Sequence, residues 1–269
     1  MRHSASFLPS RKTRIIIGTL VGLFFAIPFV ATTEYTFRDV DGHSTIHWAN
    51  VFDPAKQAAY RPIWTGLGNS LLLMVVTVAI VLFVLAPTMI LVNLRFSKLR
   101  RIFEFFALLP ISIPAVVLVV GLAPIYLVVG RSMGTGAWTL AFAYGILVMP
   151  YAFRPIQAAI DSINMSTLSE AARSLGASWP KTVLRVLAPN LRQGLLYASL
   201  ISVAVVLGEF TIASLLNRQN LQTALLVVSR QDPYVSVIFS LLALLLCFLL
   251  LVVIGRAGNV GSHKKGRRK

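Results

Sequence analysis

Acidic residues are scarce in this chain: nine Asp and Glu stand against 25 Lys and Arg in 269 residues. Charged residues of both signs reach only 13%, about half the share of a soluble domain, which argues against water as the main solvent. Cysteine occurs once, at Cys247 inside an apolar run, so no disulfide can close within the chain and the redox compartment is not readable. The four histidines, His3, His43, His47 and His263, all lie outside the apolar runs. No imidazole is therefore placed in them to act as a base or metal ligand. No G-x-x-x-x-G-K-[ST] run occurs, and the nearest glycine cluster, GRSMGTGAW, lacks the lysine, so the chain has no P-loop for a nucleotide. The net charge of +16 would suggest nucleic acid for a soluble protein. Here the basic residues sit in short blocks between long apolar runs, which points away from nucleic acid and toward membrane lipid.

What is abundant is apolar length. A bilayer core of about 30 Å takes roughly 20 mostly apolar helical residues, and that rule gives six spans: 14–33, 68–94, 102–129, 138–154, 192–216 and 235–255. The fourth is the shortest, with Gly145 and Pro150 inside it. Cytoplasmic loops retain Lys and Arg. With the N-terminus inside, 19 of the 25 fall on cytoplasmic segments and six on outer loops. The expected fold is an all-α membrane protein with six transmembrane helices and both termini cytoplasmic. Residues 1–13 form an inner tail, 14–255 the membrane domain and 256–269 a basic tail. The first run is read as a retained span, because a cleavage after Ala31 would put Phe29 where a small residue is needed. In the outer loop from Glu34, HSTIH spaces His43 and His47 four apart, a metal spacing on a helix. With no third ligand nearby, two surface histidines are the expectation.

One segment interrupts the apolar pattern: SEAARSLGASWPKTVLRVLAP, Ser169 to Pro189. Thr167 and Glu170 form a T-x-x-E helix start. Leu168, Ala171, Ala172 and Leu175 share one helical face, and Gly176 suits a left-handed helix end. Ser178 and Pro180 suit a second start, with Trp179, Val183, Val186 and Leu187 on one face. Pro189 disfavours helix at Ala188. Two short helices at an angle are expected on the cytoplasmic side, the first with an alanine contact face.

Glu170, Ala171, Ala172, Gly176 and Pro189 match, in identity and spacing, the loop pattern E-A-A, three residues, G, nine residues, I-x-L-P. Val186 replaces the isoleucine and Ala188 the leucine. In this the chain resembles the inner-membrane permeases of binding-protein-dependent ABC importers, of the type I arrangement. Asn69-Ser70 near the start of the second span, and Pro110 and Pro114 in the third, resemble the same family. The resemblance implies a coupling loop (about 155–190) seated in a groove on a separate ATPase. In it Ala171 and Ala172 pack, Gly176 turns and Glu170 meets a basic group or caps its own helix. It further implies two ATPase subunits that carry the ATP and Mg, a second permease, identical or related, and an extracytoplasmic substrate-binding protein. The location implied is a bacterial inner membrane. The chain itself is expected to hold no cofactor and catalyse nothing.

Glu209, in VVLGEFTIA, is the one acidic residue well inside a span, and such groups face a cavity or a partner. It is expected to line the pathway or pair with a neighbouring helix, with Tyr144 and Tyr151 as further pathway candidates. Pro110, Pro114, Pro124 and Pro150 are expected to kink the third and fourth spans. The layout and the G-E-F in the fifth span resemble the branch for polyamines, phosphonates, ferric ion and thiamine, and lean toward spermidine or putrescine. A secondary transporter or channel is the alternative, although a single buried acid and the lack of internal repeats do not favour it. An intramembrane hydrolase would need a nucleophile–base pair that the spans do not carry.

Overall fold

The computed structural model describes residues 10–40 and 42–263. Helix dominates. A two-stranded hairpin (β1 Arg38–Asp39, β2 Gly42–His43) and a short helix, α2 (Ile46–Asn50), form the loop after α1 (Arg11–Tyr35). Five helical stretches are long and apolar enough to cross a bilayer: Arg11–Tyr35, Pro54–Arg95, Ala115–Met133, Ala137–Asp161 and Pro233–Leu250. A sixth exists if Trp179–Asn190 and Arg192–Gly208, which meet at 79°, count as one bent span.

The second stretch is longer than expected. α3 (Gln57–Ile80) runs through a π-turn (Val81–Leu85) into α4 (Ala86–Arg95). The π-turn precedes Pro87. A proline lacks an N–H and crowds the carbonyl four residues back, and one wider turn relieves both faults without ending the helix. Asn69 and Ser70 consequently lie mid-helix rather than at the start of the span.

The third expected span is divided. α5 (Arg100–Leu108) passes into a 3-10 turn over Leu109–Ser112, Ile113 is extended, and α6 (Ala115–Met133) begins after Pro114. Pro110 and Pro114 thus break the chain, whereas Pro124 and Pro150 are carried inside α6 and α7. α7 (Ala141–Asp161) reaches seven residues beyond the boundary at 154 drawn from sequence, which places Arg154 within the helix and not in a cytoplasmic loop. Next come α8 (Met165–Ser174), α9 (Trp179–Thr182), a second π-turn (Val183–Leu187) and α10 (Ala188–Asn190). Pro189 does not stop the helix at Ala188, because this π-turn accommodates it as the first does Pro87.

The fifth span also ends early. α11 (Arg192–Gly208) stops at Glu209, which is extended, and α12 (Thr211–Leu215) follows. After Asn217 at φ 51° comes an unanticipated nine-residue helix, α13 (Leu221–Ser229). α14 (Pro233–His263) completes the fold, so the described part of the 256–269 tail continues the last helix.

The core forms where α3, α7, α11 and α13 meet, around fully buried Ile63, Leu73, Tyr144, Ile156, Leu191 and Leu221. Two glycines set the closest approaches. A Cβ on Gly194 would lie 2.6 Å from both the Pro155 carbonyl oxygen and Ala159 Cβ. One on Gly66 would lie 2.6 Å from the Asn220 carbonyl oxygen and 2.7 Å from Ala224 Cβ. Gly68, two residues on, meets nothing within 4 Å. α1, α6 and residues 242–249 of α14 instead turn large apolar side chains outward, among them Phe24, Val120, Leu127 and Phe248. Thermal unfolding in detergent separates the two glycines. Gly66→Ala should lower stability by about 1–3 kcal/mol through overpacking against backbone, whereas Gly68→Ala should be neutral or gain up to about 1 kcal/mol in helix propensity.

Candidate functional site

Helix α8 opens at Asn164, not at Thr167. The Asn164 side chain accepts from the Thr167 N–H (3.2 Å) and from Ser166 Oγ (2.8 Å). Asn is at least as good an N-cap as Thr, and the earlier start removes Glu170 from the capping position expected of it. Glu170 is exposed on the second turn and has no hydrogen-bond or ion-pair partner among the described residues. Ala172 is buried toward the protein; Ala171 faces out, and Leu175 is 89% exposed.

The turn that follows is a Schellman closure. Gly176 sits at φ 80°, its N–H donates to the Arg173 carbonyl (2.9 Å), and the Ala177 N–H donates to the Ala172 carbonyl (3.0 Å). These two bonds satisfy carbonyls that the helix end would leave open. Ser178 flanks the second helix but makes no side-chain cap. Beyond it Thr182 and Leu187 are buried, while Trp179, Lys181, Leu184 and Arg185 are exposed. Pro189, the last residue of the sequence pattern, is exposed within the short α10. Between α4 and α8 lies an open hollow of about 250 Å³ lined by Leu94, Arg95, Ser169, Glu170, Arg173 and Trp179.

Polar bonds fasten the base of this segment to the bundle. Arg100 NH2 donates to both Asp161 oxygens (2.9 and 3.2 Å), joining α5 to the end of α7. Gln157 Nε2 also donates to Asp161 (3.0 Å), and Gln157 exchanges hydrogen bonds with Asn93 of α4 at 3.3 Å. The exposed turn is thus presented from a braced support.

A second polar cluster occupies the break after α11. Glu209 is 7% exposed and its carboxylate accepts from the N–H groups of Ile212 (2.7 Å) and Ala213 (3.3 Å), at the start of α12. Tyr144, fully buried, faces that carboxylate and accepts from Asn220 Nδ2 (3.1 Å). Asn220 also donates to the Glu209 carbonyl and caps α13. Across the bundle, Ser70 accepts from the Leu221 N–H (2.9 Å), Asn69 donates to the Gln219 carbonyl (2.8 Å) and Gln219 donates to the Pro62 carbonyl (3.0 Å). The Asn-Ser pair thus holds the loop between α12 and α13. Tyr151, two turns along α7 from Tyr144, is 39% exposed and is not joined to this cluster. The sequence offered no signal for the bonds between α3 and this loop, which join residues 150, 151 and 157 positions apart.

In the loop after α1, His43 meets Glu34 Oε1 (3.0 Å), while His47 meets the Arg38 carbonyl (3.0 Å) and stacks on Tyr234 at 3.9 Å. The two histidines serve different partners. No group of three metal-ligating side chains is found among the described residues.

Apolar helices and broken spans with satisfied backbone define a multi-pass membrane protein, with an exposed helical turn on a braced base. A family model described as "Binding-protein-dependent transport system inner membrane component" matches residues 88–260. The match covers well over half of the chain, which belongs to this family: it is a permease subunit of an ABC importer, a class that works with ATPase and binding-protein partners. No individual curated protein matches the chain closely enough to count as a relative.

The buried cluster yields a stability prediction. Glu209→Ala leaves the Ile212 and Ala213 N–H groups without an acceptor, at about 1–3 kcal/mol for each orphaned group. Glu209→Gln keeps one oxygen acceptor. Melting in detergent should therefore show a clearly larger loss for alanine than for glutamine.

Proposed function

We propose that the segment from α8 to α10 is the coupling element, docking in a groove on a separate ATPase. The observation that carries this is the pair Glu170 and Leu175, an exposed carboxylate on the second turn of α8 and a large apolar side chain left uncovered at its end, beside a turn whose own backbone is satisfied. A short helix in water is marginal, and leaving Leu175 uncovered forgoes burial worth about 1.5–3 kcal/mol; a partner surface restores it. Ala171 offers close approach, Glu170 meets a basic group of the ATPase, Gly176 fixes the angle, and Ala172 and Pro189 belong to the supporting side.

In this reading the chain crosses the membrane six times, the bent pair counting as one span, with both ends cytoplasmic. It forms half of the pathway beside a second, identical or related permease. Two ATPase subunits carry ATP and Mg, and an external binding protein delivers a small polar solute. The lean toward a polyamine rests on Glu209. That carboxylate is taken up by the backbone of α12, so in this conformation it is not offered to a cation.

Purification of the chain from its native membranes in mild detergent should bring down a P-loop ATPase and a second six-span protein. A folded chain that reproducibly comes down alone would remove the mechanism and favour a gradient-driven transporter. Within the complex, Gly176→Val forces a β-branched residue into the left-handed region, at about 1–2 kcal/mol, and Glu170→Lys reverses the exposed charge. Both should uncouple ATP hydrolysis from transport while membrane insertion stays normal. An ATPase still bound and fully stimulated in both variants would count against the coupling role.

A further inference from the structure

Arg154 is a charge inside a spanning helix that the described contacts of the bundle do not account for. It lies seven residues before the end of α7, about 10 Å inside that end. It is exposed, with no hydrogen-bond or ion-pair partner among the described residues. A bare guanidinium at that depth is costly against lipid and points to a water-filled cavity or a partner.

Its surroundings differ from the lipid-type faces. The large outward side chains of α1 and α6 are mostly Phe, Leu, Ile and Val, among smaller residues such as Gly18, Gly22 and Gly121. Arg154 shares its stripe of α7 with Tyr151 and Ala158, both exposed. A second exposed stripe runs along α11 through Gln193, Tyr197, Ala204 and Gly208. The two helices are antiparallel: Gly194 near the start of α11 abuts Pro155 and Ala159 near the end of α7, while Glu209 after α11 reaches Tyr144 near the start of α7. At 100° per residue, both stripes lie about 40–100° to the same rotational side of that contact line. In an antiparallel pair, equal offsets of one sign bring both stripes to one side. α7 and α11 thus present a single uncovered wall of small, aromatic and polar residues with one fixed positive charge.

We propose that this wall lines the translocation pathway and that Arg154, flanked by Tyr151 and Tyr197, selects a solute carrying an anionic group such as a carboxylate, phosphate or phosphonate. The inference rests on the permease reading above and deepens it. A planar guanidinium pairs two oxygens of such a group at once, and the tyrosine hydroxyls supply neutral donors beside it. With no carboxylate in the wall between Arg154 and Gly208, a polycation would find nothing there to offset its repulsion by Arg154.

The test uses the whole complex in native membranes, with Cys247→Ser removing the native thiol and a single cysteine placed as Tyr151→Cys or Tyr197→Cys. Each is reacted with an anionic and with a cationic water-soluble methanethiosulfonate, normalised to their rates on a free thiol. A fixed positive charge within about 7 Å should favour the anionic reagent about fivefold. Arg154→Gln should bring the ratio close to one and Arg154→Lys should preserve it, while Val120→Cys on the lipid-type face of α6 should not react. No reaction at either tyrosine position would show a dry or lipid-covered face and overturn the proposal. Equal rates with Arg154 intact would show the charge neutralised by a partner and overturn it as well. Either failure with the ATPase still co-purifying sinks this inference alone; a chain that purifies without the ATPase sinks the permease mechanism beneath it.

Discussion

A helix that breaks inside hydrocarbon must find partners for every backbone group it frees, because the bilayer core holds no water to supply them. Most of this architecture answers that constraint at one place, the break between Gly208 and Leu221. Glu209 takes up two N–H groups at the start of α12, Asn220 takes up the Glu209 carbonyl and caps α13, and Ser70, Asn69 and Gln219 tie the loop to α3. Gln222 closes the other side by donating to the Leu207 carbonyl. The close approach at Gly66 is a consequence: only a residue without a side chain lets α3 lie near enough for these bonds to form.

The same constraint governs the prolines, which are tolerated in two ways. Pro87 and Pro189 each follow a π-turn that absorbs the missing hydrogen bond and keeps the chain helical. Pro110 and Pro114, four apart, defeat that remedy and produce a true break between α5 and α6. The difference bears on function. Past the exposed turn, Trp179–Asn190 and Arg192–Gly208 meet at 79° with only Leu191 between them. In the coupling reading a push on the turn would reach α11 through that one-residue bend.

Much of the helical layout was legible because span length is a property of composition. The turn at Gly176 was legible because glycine marks the left-handed conformation that closes a helix. What the sequence hid was of two kinds. Local signals competed: Thr167 with Glu170 reads as a helix start, but Asn164, three residues earlier, caps first, and this leaves Glu170 exposed on the second turn. Other features depend on contacts distant along the chain. Glu209 reads equally as a pathway charge or as a helix-pairing one until Ile212, Ala213, Tyr144 and Asn220 are seen around it. Arg154 was hidden by a span drawn too short, which placed it among the loop charges. The family match, over residues 88–260, fixes the class of machine and leaves the solute to these side chains.

The central claim is that the uncovered tip at Leu175 is a docking point. A photo-crosslinking amino acid placed at position 175, activated in intact native membranes, addresses it directly. The account predicts one dominant adduct, with a P-loop ATPase, that is lost when Gly176→Val tilts the turn. Illumination that yields no protein adduct, or adducts only with this chain or its membrane partner, would contradict it.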